Sequence, residues 1–151
     1  MVVTIASGKV KGIEQEGTMA FLGIPYAKVE RFMPPMPVDK WDTVRVCDHW
    51  GPQAMQNTGG RQLSEDEMSE NSCVLNVWTT DCSAKKPVML WLHGGGFDSG
   101  TSAWNPGWGL AKNDVVSVSI NHRLNILGFL DLSACSDKYK QSGNVGMLDV
   151  V

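Results

Sequence analysis

Short runs of apolar and β-branched residues, punctuated by glycine, set the rhythm of the chain from its start. Residues 2–6 and 10–14 flank Ser7-Gly8-Lys9, and Gly17 precedes a run over 19–24, the pattern of short strands turned by glycine. An antiparallel meander is expected there. Pro25-Tyr26-Ala27 closes it, and Pro34, Pro35 and Pro37 within 31–41 remove backbone donors and fix φ, so that segment is expected to run extended along the surface. Residues 42–47 are expected to add one short strand. From 51 to 71 the chain turns polar, with Asn57-Thr58-Gly59-Gly60 and an acidic stretch from Ser64 to Glu70. A solvated loop with one helical turn capped by Ser64 is expected.

Alternation and β-formers return at 74–79, which reads as a strand. Residues 88–92, Val-Met-Leu-Trp-Leu, are a continuous apolar run stopped by Gly94, Gly95 and Gly96, the pattern of a buried strand feeding a turn that no side chain enters. A short helix broken near Pro106 and Gly107 is expected within 104–112, then another β-branched strand over 114–120. Two strands joined across such a crossover are what a parallel sheet needs. Residues 144–151 read as a loop and first helical turn, with Met147, Leu148, Val150 and Val151 on an apolar face. These elements make an α/β chain.

Composition narrows the function classes. The 151 residues are 42% apolar and 19% charged, as in an ordinary globular domain. Thirteen Lys+Arg against sixteen Asp+Glu, scattered, give a net charge of −3; no basic surface for nucleic acid or a membrane is indicated. No apolar run approaches the roughly 18 residues of a membrane span, and the first residues lack the basic start and apolar core of a secretory signal. A cytoplasmic protein is expected. Cys47, Cys73, Cys82 and Cys135 show no Cys-x-x-Cys pair and no regular spacing with His49, His93 or His122, so no metal is expected and the thiols read as small packing residues.

The candidate chemistry sits at Gly94, Gly95 and Gly96. Consecutive glycines let a backbone take unusual dihedrals and let another group approach its N–H donors. Two readings fit. One is an oxyanion hole, whose main-chain donors each lower the barrier to attack on an ester carbonyl by about 2.7–4 kcal/mol; the other is a tight strand-to-helix turn. A phosphate loop or dinucleotide turn needs glycine spacings that Gly94-Gly95-Gly96-Phe97-Asp98-Ser99 does not have.

A series of motifs then extends across the whole chain: Phe21-Leu-Gly-Ile-Pro-Tyr-Ala27, Arg31-Phe32 with Pro34-Pro35, Trp41, Gly51-Pro52-Gln53, Ser69-Glu70, Leu75-Asn-Val-Trp-Thr79, His93-Gly-Gly-Gly-Phe97, Asn121-His-Arg-Leu124, Gly128-Phe-Leu130 and Gly143-Asn-Val-Gly-Met-Leu-Asp149. In this order they resemble the type-B carboxylesterases, which include bacterial para-nitrobenzyl esterases and animal cholinesterases. The resemblance implies the N-terminal part of an α/β-hydrolase fold, with residues 1–151 an incomplete portion of a single domain. In it an antiparallel strand meander leads into a mostly parallel sheet, truncated before the nucleophile elbow. It further implies a serine esterase acting through an acyl-enzyme on a small-molecule ester, without a cofactor. Gly95 and Gly96 would supply oxyanion N–H groups, helped by the N–H after the nucleophilic serine. His93 and Gly94 would shape the loop, and Arg31 would form a structural ion pair with Glu70.

Three departures from the family pattern matter. The segment after Pro-Tyr-Ala is shortened to Lys28-Val29-Glu30, and two family cysteines are replaced by Ala54 and Ser72, with Cys73 one position late. Their joint loss points to a reducing compartment. No Gly-x-Ser-x-Gly occurs in the chain: Ser99 and Ser142 lack the glycine two residues earlier. The nucleophile, acid and base are therefore expected beyond Val151, with His93 and His122 as orienting or packing residues. Two other classes stay open, a non-catalytic binding or adhesion module of neuroligin type and a free-standing small ligand-binding protein.

Overall fold

The computed structural model describes residues 1–57, 59 and 67–151. Strand β1 (Val2–Ile5) pairs antiparallel with β2 (Gly8–Lys11), as the meander requires. The chain then bends at Gly12, where a Cβ would lie 2.4 Å from the Ala20 carbonyl oxygen. This close approach sends β3 (Ile13–Gln15) and the eight-residue β4 (Thr18–Pro25) into a different sheet, so the expected single meander is divided between two.

The proline-bearing segment forms only a two-residue antiparallel pair, β5 (Ala27–Lys28) with β6 (Met36–Pro37). The strand expected over 42–47 is β7 (Val44–Val46); it runs parallel to β2 and completes the smaller sheet. In the polar stretch, β8 (Gln53–Ala54) pairs with β9 (Met68–Ser69). The turn expected at Ser64 lies outside the described residues.

The larger sheet is completed by β10 (Val74–Thr79), β11 (Val88–Leu92) and, after the short helix α1 (Trp108–Ala111), β12 (Val116–Ile120). Its order is β11-β12-β10-β4-β3, with β11 and β12 parallel across the crossover and the other neighbours antiparallel. Thus the mixed architecture fits the N-terminal part of an α/β-hydrolase, and within it the parallel portion is a single pair. Helix α1 starts only after Gly107, where a Cβ would lie 2.4 Å from Ser117 Oγ and 2.5 Å from Trp78 Cε3. Glycine there brings the crossover down onto the sheet.

Apolar clusters cover both faces of β4 and β10. Val10, Phe21, Ile24 and Cys47 pack on one side; Ala20, Leu22, Trp78 and Ala111 pack on the other. Trp78 is wholly buried, tilted against Trp50 at 5.6 Å, and its indole N–H donates to Gln15 Oε1 at 3.0 Å. Such a buried indole contributes both area and a satisfied polar tip.

Strand β11 corrects the expectation of burial. All five residues are exposed, from 41% at Trp91 to 67% at Val88. Among the described residues only β12 pairs with it, on one edge, and much of each side chain on β11 stays open. A continuous apolar run encodes what covers a strand in a completed sheet, and that cover comes from other elements.

The last two helices, α2 (Asn125–Phe129) and α3 (Val145–Leu148), are short and pack on one another. Gly146 permits this contact, since a Cβ there would lie 2.6 Å from Phe129 Cζ. The buried side of this final segment is Val145, Gly146 and Asp149, whereas Met147, Leu148 and Val150 are half-buried and Val151 is exposed. Asp149 is buried because it pairs with Arg123, a partner that apolar periodicity does not reveal.

Candidate oxyanion site

The glycine turn leaves the C-terminal end of β11 through His93. Gly95 has φ +124° and Gly96 φ +62°, followed by Phe97 at +63°, so three successive residues take backbone conformations that L side chains rarely adopt. At Gly95 a Cβ would sit 1.8 Å from the Ser99 carbonyl oxygen. The glycine requirement is therefore steric as well as conformational. Gly94 differs: its φ is outside the left-handed region and a Cβ there would meet nothing within 4 Å. Its carbonyl accepts from His93 Nδ1 at 2.9 Å.

The bonding inside the turn runs one way. The Gly95 carbonyl accepts from the N–H groups of Asp98 and Ser99 at 3.1 and 3.2 Å, and the Phe97 carbonyl accepts from Asn125 N–H at 2.7 Å. The N–H groups of Gly94, Gly95 and Gly96 donate no hydrogen bond among the described residues, and all three glycines are exposed. Exposed, unengaged amides on a conformationally fixed turn can take an external anionic oxygen. Beside Gly96, the side chains of Phe97, Ile126, Phe129 and Leu130 form an open apolar depression.

Under the turn, His93 is 8% exposed and stacks on His122, which is 3% exposed. Their ring centroids are 4.9 Å apart and their planes 6° from parallel. His122 Nδ1 donates to the Arg123 carbonyl at 2.9 Å, matching the His93 bond to Gly94. Both imidazoles thus carry hydrogen on Nδ1, and His93 Nε2 is buried with no partner among the described residues. Burial, with a smaller contribution from His93, pulls His122 below the ordinary imidazole pKa, against the opposing effect of its hydrogen bond to Arg123. Among the described residues, no hydroxyl is hydrogen-bonded to either ring.

Arg31 and Glu70 are brought together as a two-point pair: Arg31 Nε donates to Glu70 Oε2 at 2.9 Å and Nη2 to Oε1. The Arg31 guanidinium holds the Glu70 carboxyl below its usual range. The side chains are 59% and 36% exposed, so the pair fastens residue 31 to residue 70 with little net stabilisation.

A second, buried ion pair had no assigned role in the sequence. Arg123 Nη2 and Nε donate to Asp149 at 2.6 and 2.9 Å, with side chains 4% and 0% exposed. Arg123 Nη1 also donates to the carbonyls of Glu30 and Met33 at 3.1 and 2.8 Å, and Asp149 Oδ2 accepts the Arg123 N–H. Every polar side-chain atom of the pair therefore has a partner, which buried charge requires. Both residues lie in quoted motifs, but only the fold brings them together.

Side-chain amides hold the remaining loop. Asn121 Oδ1 accepts from Ser102 N–H at 2.7 Å while Nδ2 donates to the Pro52 carbonyl at 3.0 Å. Asn76, fully buried, accepts from Gly23 N–H and donates to Ser102 Oγ and Ser119 Oγ. Asn125 Nδ2 donates to the Met55 carbonyl at 2.6 Å. Asn76 and Asn121 thus tie Ser102, just after the turn, to β10 and to the end of β12, and Asn121 and Asn125 hold the 52–55 segment.

Residues 1–151 match the model of the carboxylesterase family throughout. The chain is 37% identical over 159 residues to the para-nitrobenzyl esterase of Bacillus subtilis (strain 168), covering 98% of this chain and 32% of that protein. It is 36% identical over 169 residues to the cholinesterase of Mus musculus, covering 98% and 28%. The crystal structure of a Geobacillus stearothermophilus carboxylesterase superposes with a TM-score of 0.89 at 41% identity, covering 98% of this chain and 32% of that one. The chain thus spans about a third of the length of these relatives. With the family model matched from residue 1 to residue 151, the chain belongs to the carboxylesterase family.

Proposed function

We propose that the whole protein bearing this chain is a carboxylic ester hydrolase, and that Gly95 and Gly96 supply main-chain donors of its oxyanion hole. The observation that carries the reading is the pair of exposed amides with no acceptor among the described residues, on a turn whose dihedrals are fixed by glycine. The names of the relatives, a para-nitrobenzyl esterase and a carboxylesterase, support the reaction class.

In this mechanism a serine hydroxyl from outside residues 1–151 attacks the ester carbonyl, a base takes its proton, and the carbonyl oxygen becomes anionic against Gly95 and Gly96. Collapse expels the alcohol with a returned proton and leaves an acyl-enzyme. Water then attacks the acyl group, releasing the carboxylic acid and regenerating the serine. The depression at Phe97, Ile126, Phe129 and Leu130 suits an apolar portion of a small ester. Residues 1–151 alone lack a Gly-x-Ser-x-Gly nucleophile, and as an isolated chain they are proposed to be inactive.

The test is hydrolysis of a para-nitrophenyl ester by the whole protein, followed by release of the nitrophenolate. Saturable turnover that is abolished by a serine-directed phosphonate supports the reading. A folded whole protein with no turnover and no phosphonate adduct overturns it and favours a non-catalytic binding module.

A further inference from the structure

The amide side chain of Gln56 forms a two-point clamp on the backbone at the far end of the glycine turn. Its Oε1 accepts from Gly100 N–H at 2.7 Å, and its Nε2 donates to the Gly100 carbonyl at 2.8 Å. A carboxamide bonded this way to both polar groups of one residue imitates a neighbouring strand. Nε2 is also within hydrogen-bond distance of the Ala54 carbonyl at 3.1 Å and Gln53 Oε1 at 3.3 Å, and the Gln56 N–H faces Met68 Sδ at 3.3 Å. The amide is therefore fixed before it meets Gly100.

Gly100 is the place where such a hold has consequences. It is buried at φ +131°, and a Cβ on it would lie 2.3 Å from His93 Nδ1 and 2.4 Å from the Gly94 carbonyl oxygen. The start and end of the turn thus touch through the Gly100 backbone. Ser99, next to it, donates to Gly95 and crowds its α-carbon. A displacement at Gly100 passes to Gly95 through one residue on one side and through His93 and Gly94 on the other.

We propose that Gln56 is a positioning residue for the oxyanion donors, acting through Gly100 to hold the 93–100 turn in its open-amide conformation. This role rests on the reading of Gly95 and Gly96 as those donors, because its effect on rate comes only through them. A misplacement of about 1 Å at an oriented site costs up to about a hundredfold in rate. Loss of the clamp is therefore expected to lower kcat about tenfold to a hundredfold with KM changed less than threefold.

The experiment compares wild type, Gln56→Ala and Gln56→Glu in the whole protein by amide hydrogen exchange and by para-nitrophenyl ester kinetics. Gln56→Glu keeps the shape and the acceptor for Gly100 N–H but sets a carboxylate against the Gly100 carbonyl, so it guards against a result caused only by lost packing. Expected is faster exchange at Asp98, Ser99 and Gly100 in both variants, unchanged exchange in β12, and a fall in kcat. Unchanged exchange through 93–102 overturns the clamp, and faster exchange with unaltered kcat in an active protein overturns its role in positioning the donors. A wild-type protein that turns over no ester overturns the esterase reading alone, because the exchange comparison still decides whether Gln56 holds the turn.

Discussion

The imidazole of His93 lies flat against that of His122, 4.9 Å between ring centroids and 6° from parallel, directly beneath the glycine turn. Both rings give their Nδ1 hydrogen to a neighbouring backbone carbonyl. A proton added to His122 faces His93, is drawn by Asp149, and loses hydration through burial. The last effect dominates, so the folded protein holds His122 neutral below its unfolded pKa.

The sign of the pH dependence follows. With the folded pKa depressed below about 6.5, the unfolded chain binds more protons in the window between the two values. Stability from this group is present above the unfolded pKa and is lost as pH falls through the folded one. Urea midpoints of the whole protein should decline as pH falls below about 6.5, and His122→Phe should flatten part of that decline. An identical pH slope in wild type and variant contradicts the assignment.

Gly94 and Gly95 are predicted to respond in opposite ways to a methyl group. Gly95→Ala meets the Ser99 carbonyl and an unfavourable φ, and should lower kcat of the whole protein by about a hundredfold or more through the displaced donor. Gly94→Ala meets no described atom and should leave the melting transition within about 0.5 kcal/mol of wild type. Equal destabilisation by both substitutions contradicts this division of roles.

How much of this was legible beforehand depended on the range of the interaction. The strands and the glycine turn could be read because β-branched runs and Gly94, Gly95 and Gly96 act locally on the backbone. The pairing of Arg31 with Glu70 is implied by the family resemblance alone, and the structure brings the two side chains together. The Gln56 clamp spans 44 residues and the Arg123 and Asp149 pair spans 26; neither leaves a periodic trace. The exposure of Val88–Leu92 runs against the apolar pattern for a related reason, since burial belongs to covering elements and not to the strand.

The two ion pairs should separate clearly in denaturant melts. Asp149→Asn leaves the buried Arg123 charge uncompensated and should cost about 3–5 kcal/mol. Glu70→Gln acts on an exposed pair and should cost no more than about 1 kcal/mol. Comparable losses from both would contradict the burial argument.

The free thiols give a chemical check on the fold. Cys73 is buried, and desolvation, aided by the nearby Asp149 charge, pushes its thiol up to about 12. Cys135 is exposed. In native protein at neutral pH, iodoacetamide followed by peptide mass mapping should label Cys135 first and leave Cys73 unmodified until denaturant is added. Early labelling of Cys73 contradicts its burial.

The most direct test of the oxyanion role is the crystal structure of the whole protein after reaction with a para-nitrophenyl phosphonate, whose phosphoryl oxygen imitates the anionic oxygen of the tetrahedral intermediate. The account predicts a serine-bound phosphonate with that oxygen about 2.7–3.1 Å from the nitrogens of both Gly95 and Gly96. A phosphoryl oxygen held elsewhere, with those two amides facing solvent, would contradict it.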